Sequence, residues 1–283
     1  MKKSIAVWLL TACLAAVSLS GCQYVGQALS GIFSEEEMEN YLENRIGGEA
    51  AEHIPSAEEL TELPDRSDDH RESFPYSVGD ETKLVLDVRG AAQVIVQEGE
   101  EEDLLFEYDP EHITVTAEPD DGFLVVDIRE KGRRPRDDKG NYKCMVTLPA
   151  QTYEQVQLVG ERAGAAFMEL TAPLIVDGNG LGIVLSNPRG DVTINGGNGA
   201  FEADIAQDYA GRFTVKGSAG AFCLRFLGGE PSPLEFHLEA TGSVIAVPEG
   251  WGSPREGIDY STGSGGAVFD LQLDAGAGAV IVE

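Results

Sequence analysis

The chain has 283 residues and a formal charge of −29, from 49 acidic and 20 basic side chains. Such acidity repels nucleic acid and anionic headgroups, which excludes a nucleic-acid binder, and the length suffices for a sizeable core. Of four cysteines, Cys13 and Cys22 fall in an N-terminal segment that reads as a processed, lipidated signal, so Cys144 and Cys223 remain; that is no disulfide framework, and no CxxC pair offers a zinc site of the usual spacing.

The N-terminus reads as an export signal. Lys2 and Lys3 precede an apolar run from Ile5 to Val17, which is shorter than a comfortable bilayer span. Leu19-Ser20-Gly21-Cys22 then places small residues before a cysteine, the pattern cut by a lipoprotein signal peptidase. The expectation is a signal peptide over 1–22 with Cys22 lipidated by a diacylglycerol and a further acyl chain of the palmitate type. Each buried CH₂ contributes about 0.8 kcal/mol, so two or three chains anchor where one is marginal. That places the protein on the extracytoplasmic face of the cell membrane, or on the outer membrane of an organism that has one. Loss of Lys2 and Lys3 takes the charge from −29 to −31.

Residues 23–82 read as an acidic, mostly disordered tether. Residues 34–82 hold 16 acids and 3 bases, and Pro55, Pro64 and Pro75 interrupt them. A short helix is predicted over Glu35 to Ile46, with Met38, Leu42 and Ile46 on one face. A second starts at Ser56, where Glu59 completes a capping box. Neither buries much alone, and the charge density favours an extended spacer. A partner-binding helix is the alternative.

From Lys83 to Glu283 the period becomes two, and one β domain is expected. Strands are predicted around Leu84 to Val88, Gln93 to Val96, Leu105 to Tyr108, Ile113 to Thr116 and Phe123 to Ile128. The connection Arg129 to Lys143 carries seven bases and three acids. It reads as a docking patch for an anionic wall polymer or lipid headgroup, or as a solvated hairpin tip.

Beyond Cys144 the chain is glycine-rich, with 23 glycines among residues 144–283. Gly190 to Ile205 aligns without gaps onto Gly211 to Phe226 at an offset of 21. Looser copies run from Leu174 to Leu185 and from Ile258 to Phe269. A unit this short cannot close its own core, so neighbours must stack. Alternation points Val192, Ile194, Phe201, Ala203 and Ile205 inward and Thr193, Glu202 and Asp204 outward. The expected fold is all-β, a glycine-rich β-solenoid with rungs of about 21 residues. An antiparallel β-sandwich is the alternative. In-register rungs would set Val192 by Phe213, Phe201 by Phe222 and Ile205 by Phe226, with Asp191 by Arg212 and Asp204 by Arg225 as charge pairs. The same alternation turns Cys144 inward and Cys223 outward, so two free thiols are expected.

Val146-Thr147-Leu148-Pro149, Val156 to Val159 and the later Gly-Ala-Phe and Thr-Gly-Ser-Gly-Gly runs resemble the bacterial putative-adhesin family of β-solenoid domains. The resemblance covers roughly Lys83 to Glu283. It implies a cell-envelope location and supplies no catalytic residues; fold does not dictate function.

Residue patterns that could carry chemistry are sparse. His53, His70, His112 and His237 lack a second ligand at metal spacing, and no nucleophile elbow or phosphate loop occurs. Asp177-Gly178-Asn179-Gly180 offers too few oxygens for calcium and reads as a tight turn. The stacked outward positions Thr193/Thr214, Glu202/Cys223 and Asp204/Arg225 do not assemble an acid–base pair. No cofactor and no catalytic residue are therefore expected. The leading function is a membrane-anchored envelope lipoprotein that displays a non-catalytic interaction or scaffold domain to an envelope protein or wall polymer. The alternative is a polysaccharide-acting β-helix enzyme.

Overall fold

The computed structural model describes residues 72–283 apart from 78, 80, 91–92, 101, 133–142, 150–152, 243, 254–255 and 276–278. Among the described residues the fold is all-β, with no helix. The strands are β1 Glu72–Tyr76, β2 Lys83–Arg89, β3 Gln93–Glu98, β4 Leu104–Tyr108, β5 Ile113–Asp120 and β6 Phe123–Glu130. Then come β7 Lys143–Leu148, β8 Gln155–Glu161, β9 Gly164–Met168, β10 Leu174–Asn179, β11 Gly182–Ser186 and β12 Val192–Ala206. The last are β13 Arg212–Leu227, β14 Leu234–Thr241, β15 Val244–Ala246, β16 Ile258–Ser261, β17 Ala267–Asp274 and β18 Ala279–Val282. The five strands predicted between residues 84 and 128 are all present.

The strands form two columns joined at a corner. The first runs β5–β6–β2–β8–β10–β12–β13–β17–β14–β16, with parallel pairing from β6 to β14 and antiparallel pairing at β5–β6 and β14–β16. The second runs β1–β4–β7–β3–β9–β11–β12–β13–β18–β15, antiparallel at β1–β4 and β4–β7 and parallel beyond. The long strands β12 and β13 pass through both columns and bend at the glycines between them. Two faces packed on each other give the layering of the sandwich alternative, but its antiparallel pairing is confined to the ends.

Alternation fills the core. Along the first column one register line of apolar side chains runs Val126, Leu86, Leu158, Val176, Ile194, Val215, Leu271, Leu238 and Ile258. All nine are buried. Each buried aliphatic side chain contributes roughly 1.5–3 kcal/mol, so this line is a main source of cohesion.

The expected inward pairs are register partners: Val192 with Phe213, Phe201 with Phe222 and Ile205 with Phe226. Asp204 also lies beside Arg225. Asp191 also lies beside Arg212, but through the backbone: its Oδ1 accepts the Arg212 N–H at 2.8 Å. It caps the start of β13.

The period is not 21 residues throughout. Leu174 pairs with Val156 and with Val192, so those two steps are 18 residues. Only the step from Val192 to Phe213 is 21. The three extra residues lie in the return after β12, where Tyr209 folds inward, donates its hydroxyl to the Gly190 carbonyl at 3.2 Å and rests near the Phe269 ring. Burial pushes its phenol well above the ordinary range. The copy proposed at Ile258 to Phe269 is not a layer either. It is β16, antiparallel on β14, followed by a glycine turn into β17. Layers also depart from chain order at both ends: β2–β3 lies inside β6–β7, and β17–β18 lies inside β14–β15.

The glycine periodicity has a steric cause. Gly160, Gly178, Gly196 and Gly217 are register partners at the corner between the columns. A Cβ on Gly178 would lie 2.0 Å from the Gly160 carbonyl oxygen, and one on Gly217 would lie 1.8 Å from that of Gly196. The backbones approach too closely for any side chain.

β1 falls inside the segment read as tether. Phe74 stacks on Phe106, with ring centroids 6.2 Å apart, and this aromatic contact draws Glu72–Tyr76 onto the sheet against the local acidity. The remainder of the tether, both predicted helices, and Leu19, Ser20, Gly21 and Cys22 lie outside the described residues.

Candidate functional site

Among the described residues the buried core is almost entirely apolar, and most charged side chains stand on the outward faces. On the first column, Gln157 Nε2 donates to Asp177 Oδ2 at 2.9 Å, and Asn195 Nδ2 donates to Asp177 Oδ1 at 3.0 Å. The sequence Asp177-Gly178-Asn179 is strand rather than turn, with only Gly180 left-handed after it. Both carboxylate oxygens are taken by amides across three strands. Among the described residues, no group of three or more His, Cys, Asp or Glu could hold a metal ion.

Near the start of this column the register sets Asp87 beside Asp127 and Arg89 beside Arg129. Like charges on adjacent strands oppose each other, and each strand answers internally. Arg89 Nη2 lies 2.8 Å from Asp87 Oδ2, and Arg129 pairs likewise with Asp127. Arg129 and Lys131, which donates to the Pro110 carbonyl, open the basic connection. Its residues 133–142 lie outside the described set.

At the other end His237 faces Asp259 on β16, with Nδ1 2.6 Å from Oδ1, Glu239 on its own strand at 3.7 Å and Asp270 beside it on β17. The bond to Asp259, with help from the nearby carboxylates, holds the imidazole pKa above its ordinary 6.5. A raised pKa stabilises the fold below the unfolded value, and that contribution is lost as pH rises through the folded value. Comparing wild type with His237→Gln by urea unfolding, the stability gap should be widest below pH 6.5 and close above it. A gap that is constant with pH would contradict this role. His112 makes the corresponding local pair with Asp109, at 2.6 Å in the turn before β5.

On the second column, the positions weighed as a catalytic pair form one clamp. Arg225 is 9% exposed, Nε lies 2.5 Å from Asp204 Oδ1, and Nη2 pairs with Glu202. One guanidinium occupies both carboxylates, the usual solution for a desolvated arginine.

Cys223 stands outward between these groups and is half-buried, while Cys144 is fully inside; both thiols are free. Burial pushes each up to about 12. Little reactive thiolate therefore exists at neutral pH. Under native conditions a polar maleimide should modify Cys223 slowly and Cys144 only after unfolding, as followed by intact mass. Equal rates would overturn the face assignment.

Two features were not drawn from the sequence. One is the His237–Asp259 pair, which needs the antiparallel return of β16. The other is an apolar patch on the outside of the second column, built from Ile95, Ala166, Met168 and Val184, with Met145 against it. A signal for it existed: Val94-Ile95-Val96, Ala165 to Met168 and Ile183-Val184-Leu185 are unbroken apolar runs, the mark of strands buried on both faces.

No family model matches the chain, and no curated protein does. Among solved structures it is similar to a putative cell adhesion protein from Clostridium sporogenes, at 15% identity and TM-score 0.45, over 75% of this chain and 97% of that one. It is similar to a putative adhesin from Bacteroides fragilis at 14% identity and TM-score 0.31, over 78% and 99% of the two chains. A putative adhesin from Parabacteroides merdae aligns at 9% identity and TM-score 0.23, over 76% and 96%.

Proposed function

We propose that this chain is an extracytoplasmic lipoprotein, anchored through lipid on Cys22, whose stacked layers are the rungs of a non-catalytic β-solenoid. Its outer faces serve as a platform for an envelope protein or wall polymer. The observation that carries this reading is the pairing of outward charge along the register: Asp177 between two amides, and Glu202 and Asp204 on one arginine. These side chains are committed to holding adjacent strands, whereas a polysaccharide-cleaving site needs carboxylates poised on substrate. The acidic residues ahead of β1 would act as the spacer.

The test is metabolic labelling with an alkyne analogue of palmitate in the native host. Wild type should carry the label and sediment with membranes, and Cys22→Ala should lose the label. Label that survives in Cys22→Ala would contradict the anchor. In parallel, the purified chain should release no reducing ends or unsaturated products from anionic polysaccharides. Release would establish the enzyme instead.

A further inference from the structure

The two outer faces are shielded to different degrees. On the first column the outward residues Val85, Gln157 and Ile175 keep intermediate exposure, as befits a sheet with one wet side. On the second column Ile95 and Val184 are 8% exposed, Met168 5% and Ala166 4%. They point away from the core and are nonetheless as buried as core residues. Ile95, Ala166 and Val184 lie on one register line, which Met145 extends by one strand. Three strand spacings make that line about 14 Å long.

We propose that this chain's own residues 35–46 form an amphipathic helix that docks along this line. The sequence carries full helix punctuation: Ser34 as N-cap with Glu37 three residues on, acids at 35–37, Arg45 in the last turn and Gly47 after it. Met38, Tyr41, Leu42 and Ile46 make a single stripe, with Glu36, Asn40 and Glu43 opposite. From Met38 to Ile46 the stripe is about 12 Å long, which matches the apolar line.

The chain also enters from the right side. β1 is the edge strand of this same column, and β9 lies four spacings away, about 19 Å. The 25 residues from 47 to 71 span that distance several times over. The sequence of 133–142, ahead of β7, has no apolar stripe. A second copy or an anionic bilayer meets the repulsion of a strongly acidic chain. The docked helix would cover one face of the platform, so an external partner of that face must displace it. The inference stands whether or not Cys22 is lipidated.

Peroxide footprinting of the full chain with peptide mass spectrometry tests it, since Met38, Met145 and Met168 are its only methionines besides Met1. In wild type, Met38 and Met168 should oxidise slowly. In the double variant Leu42→Asp with Ile46→Asp, Met168 should oxidise at least tenfold faster while the β-sheet circular dichroism is unchanged. The reciprocal variant Ala166→Glu should expose Met38 to the same degree. An unchanged Met168 rate in the double variant would overturn the proposal. So would protection that disappears on dilution, which assigns a second copy, or that requires added phosphatidylglycerol vesicles, which assigns a lipid surface.

Discussion

Replacing Gly217 with alanine is expected to cost about 3 kcal/mol or more, enough to remove a large share of the stability of an ordinary domain. Two effects combine. Gly217 has φ of +141°, and its Cβ would lie 1.8 Å from the Gly196 carbonyl oxygen. That oxygen is backbone in the adjacent strand, so relief requires the corner stack of Gly160, Gly178, Gly196 and Gly217 to part. Gly228→Ala is the control. Its φ is +79° and nothing lies within 4 Å of the position, so only the left-handed conformation is penalised, at about 1–2 kcal/mol. Denaturant unfolding of the two variants isolates the close approach. Equal losses would mean that the corner glycines serve conformation alone.

Trp251→Ala is expected to cost about 3–5 kcal/mol, as for other buried aromatic truncations. Trp251 sits in the connection between β15 and β16, 6% exposed, beyond the last layer of the first column. Its ring stacks on Tyr260 at 4.4 Å and meets Phe236 at 4.7 Å and Phe226 at 6.0 Å. Tyr260 is held in turn by Glu230, whose Oε1 accepts the phenol proton at 2.9 Å. A stack of layers exposes the apolar side of its terminal layer unless something covers it. Strand β16 and Trp251 provide that cover, so truncation should unfold this end first. Hydrogen exchange in Trp251→Ala should accelerate in β14 and β16 before β8 and β10. Uniform acceleration would contradict a local cap.

The sequence carried more about faces than about neighbours. Alternation assigned Val192, Ile194, Phe201, Ala203 and Ile205 to the interior, and all five are buried. The gapless repeat correctly paired Gly190–Ile205 with the segment that follows, because those two layers share corner geometry and strand length. It did not give the period elsewhere. Tyr209 and its loop lengthen one return by three residues, and no periodic signal marks which return is the exception. Layer order was hidden for a related reason. Strands with the same in–out pattern are interchangeable as neighbours until the connections are fixed in space, so the placement of β17–β18 inside β14–β15 left no trace in composition. The acidic pattern before residue 83 obscured β1, which is held by Phe74 on Phe106, Tyr76 against the core and backbone pairing. Among outward groups, the Asp204–Arg225 pair was legible at an offset of 21. The addition of Glu202 to the same arginine was not, since it depends on the guanidinium reaching diagonally across to β12.

The β6-to-β14 strands of the first column stack parallel and in register. A methyl–methyl NOE walk on Ile/Leu/Val-labelled full-length chain checks that stacking. The expected path through the first column is Val126–Leu86–Leu158–Val176–Ile194–Val215–Leu271–Leu238–Ile258, each step a register partner. Cross-peaks in that order would uphold the stack. Cross-peaks that place Ile194 beside the Leu224 end of β13 instead of Val215 would require antiparallel pairing of β12 with β13, and would contradict it.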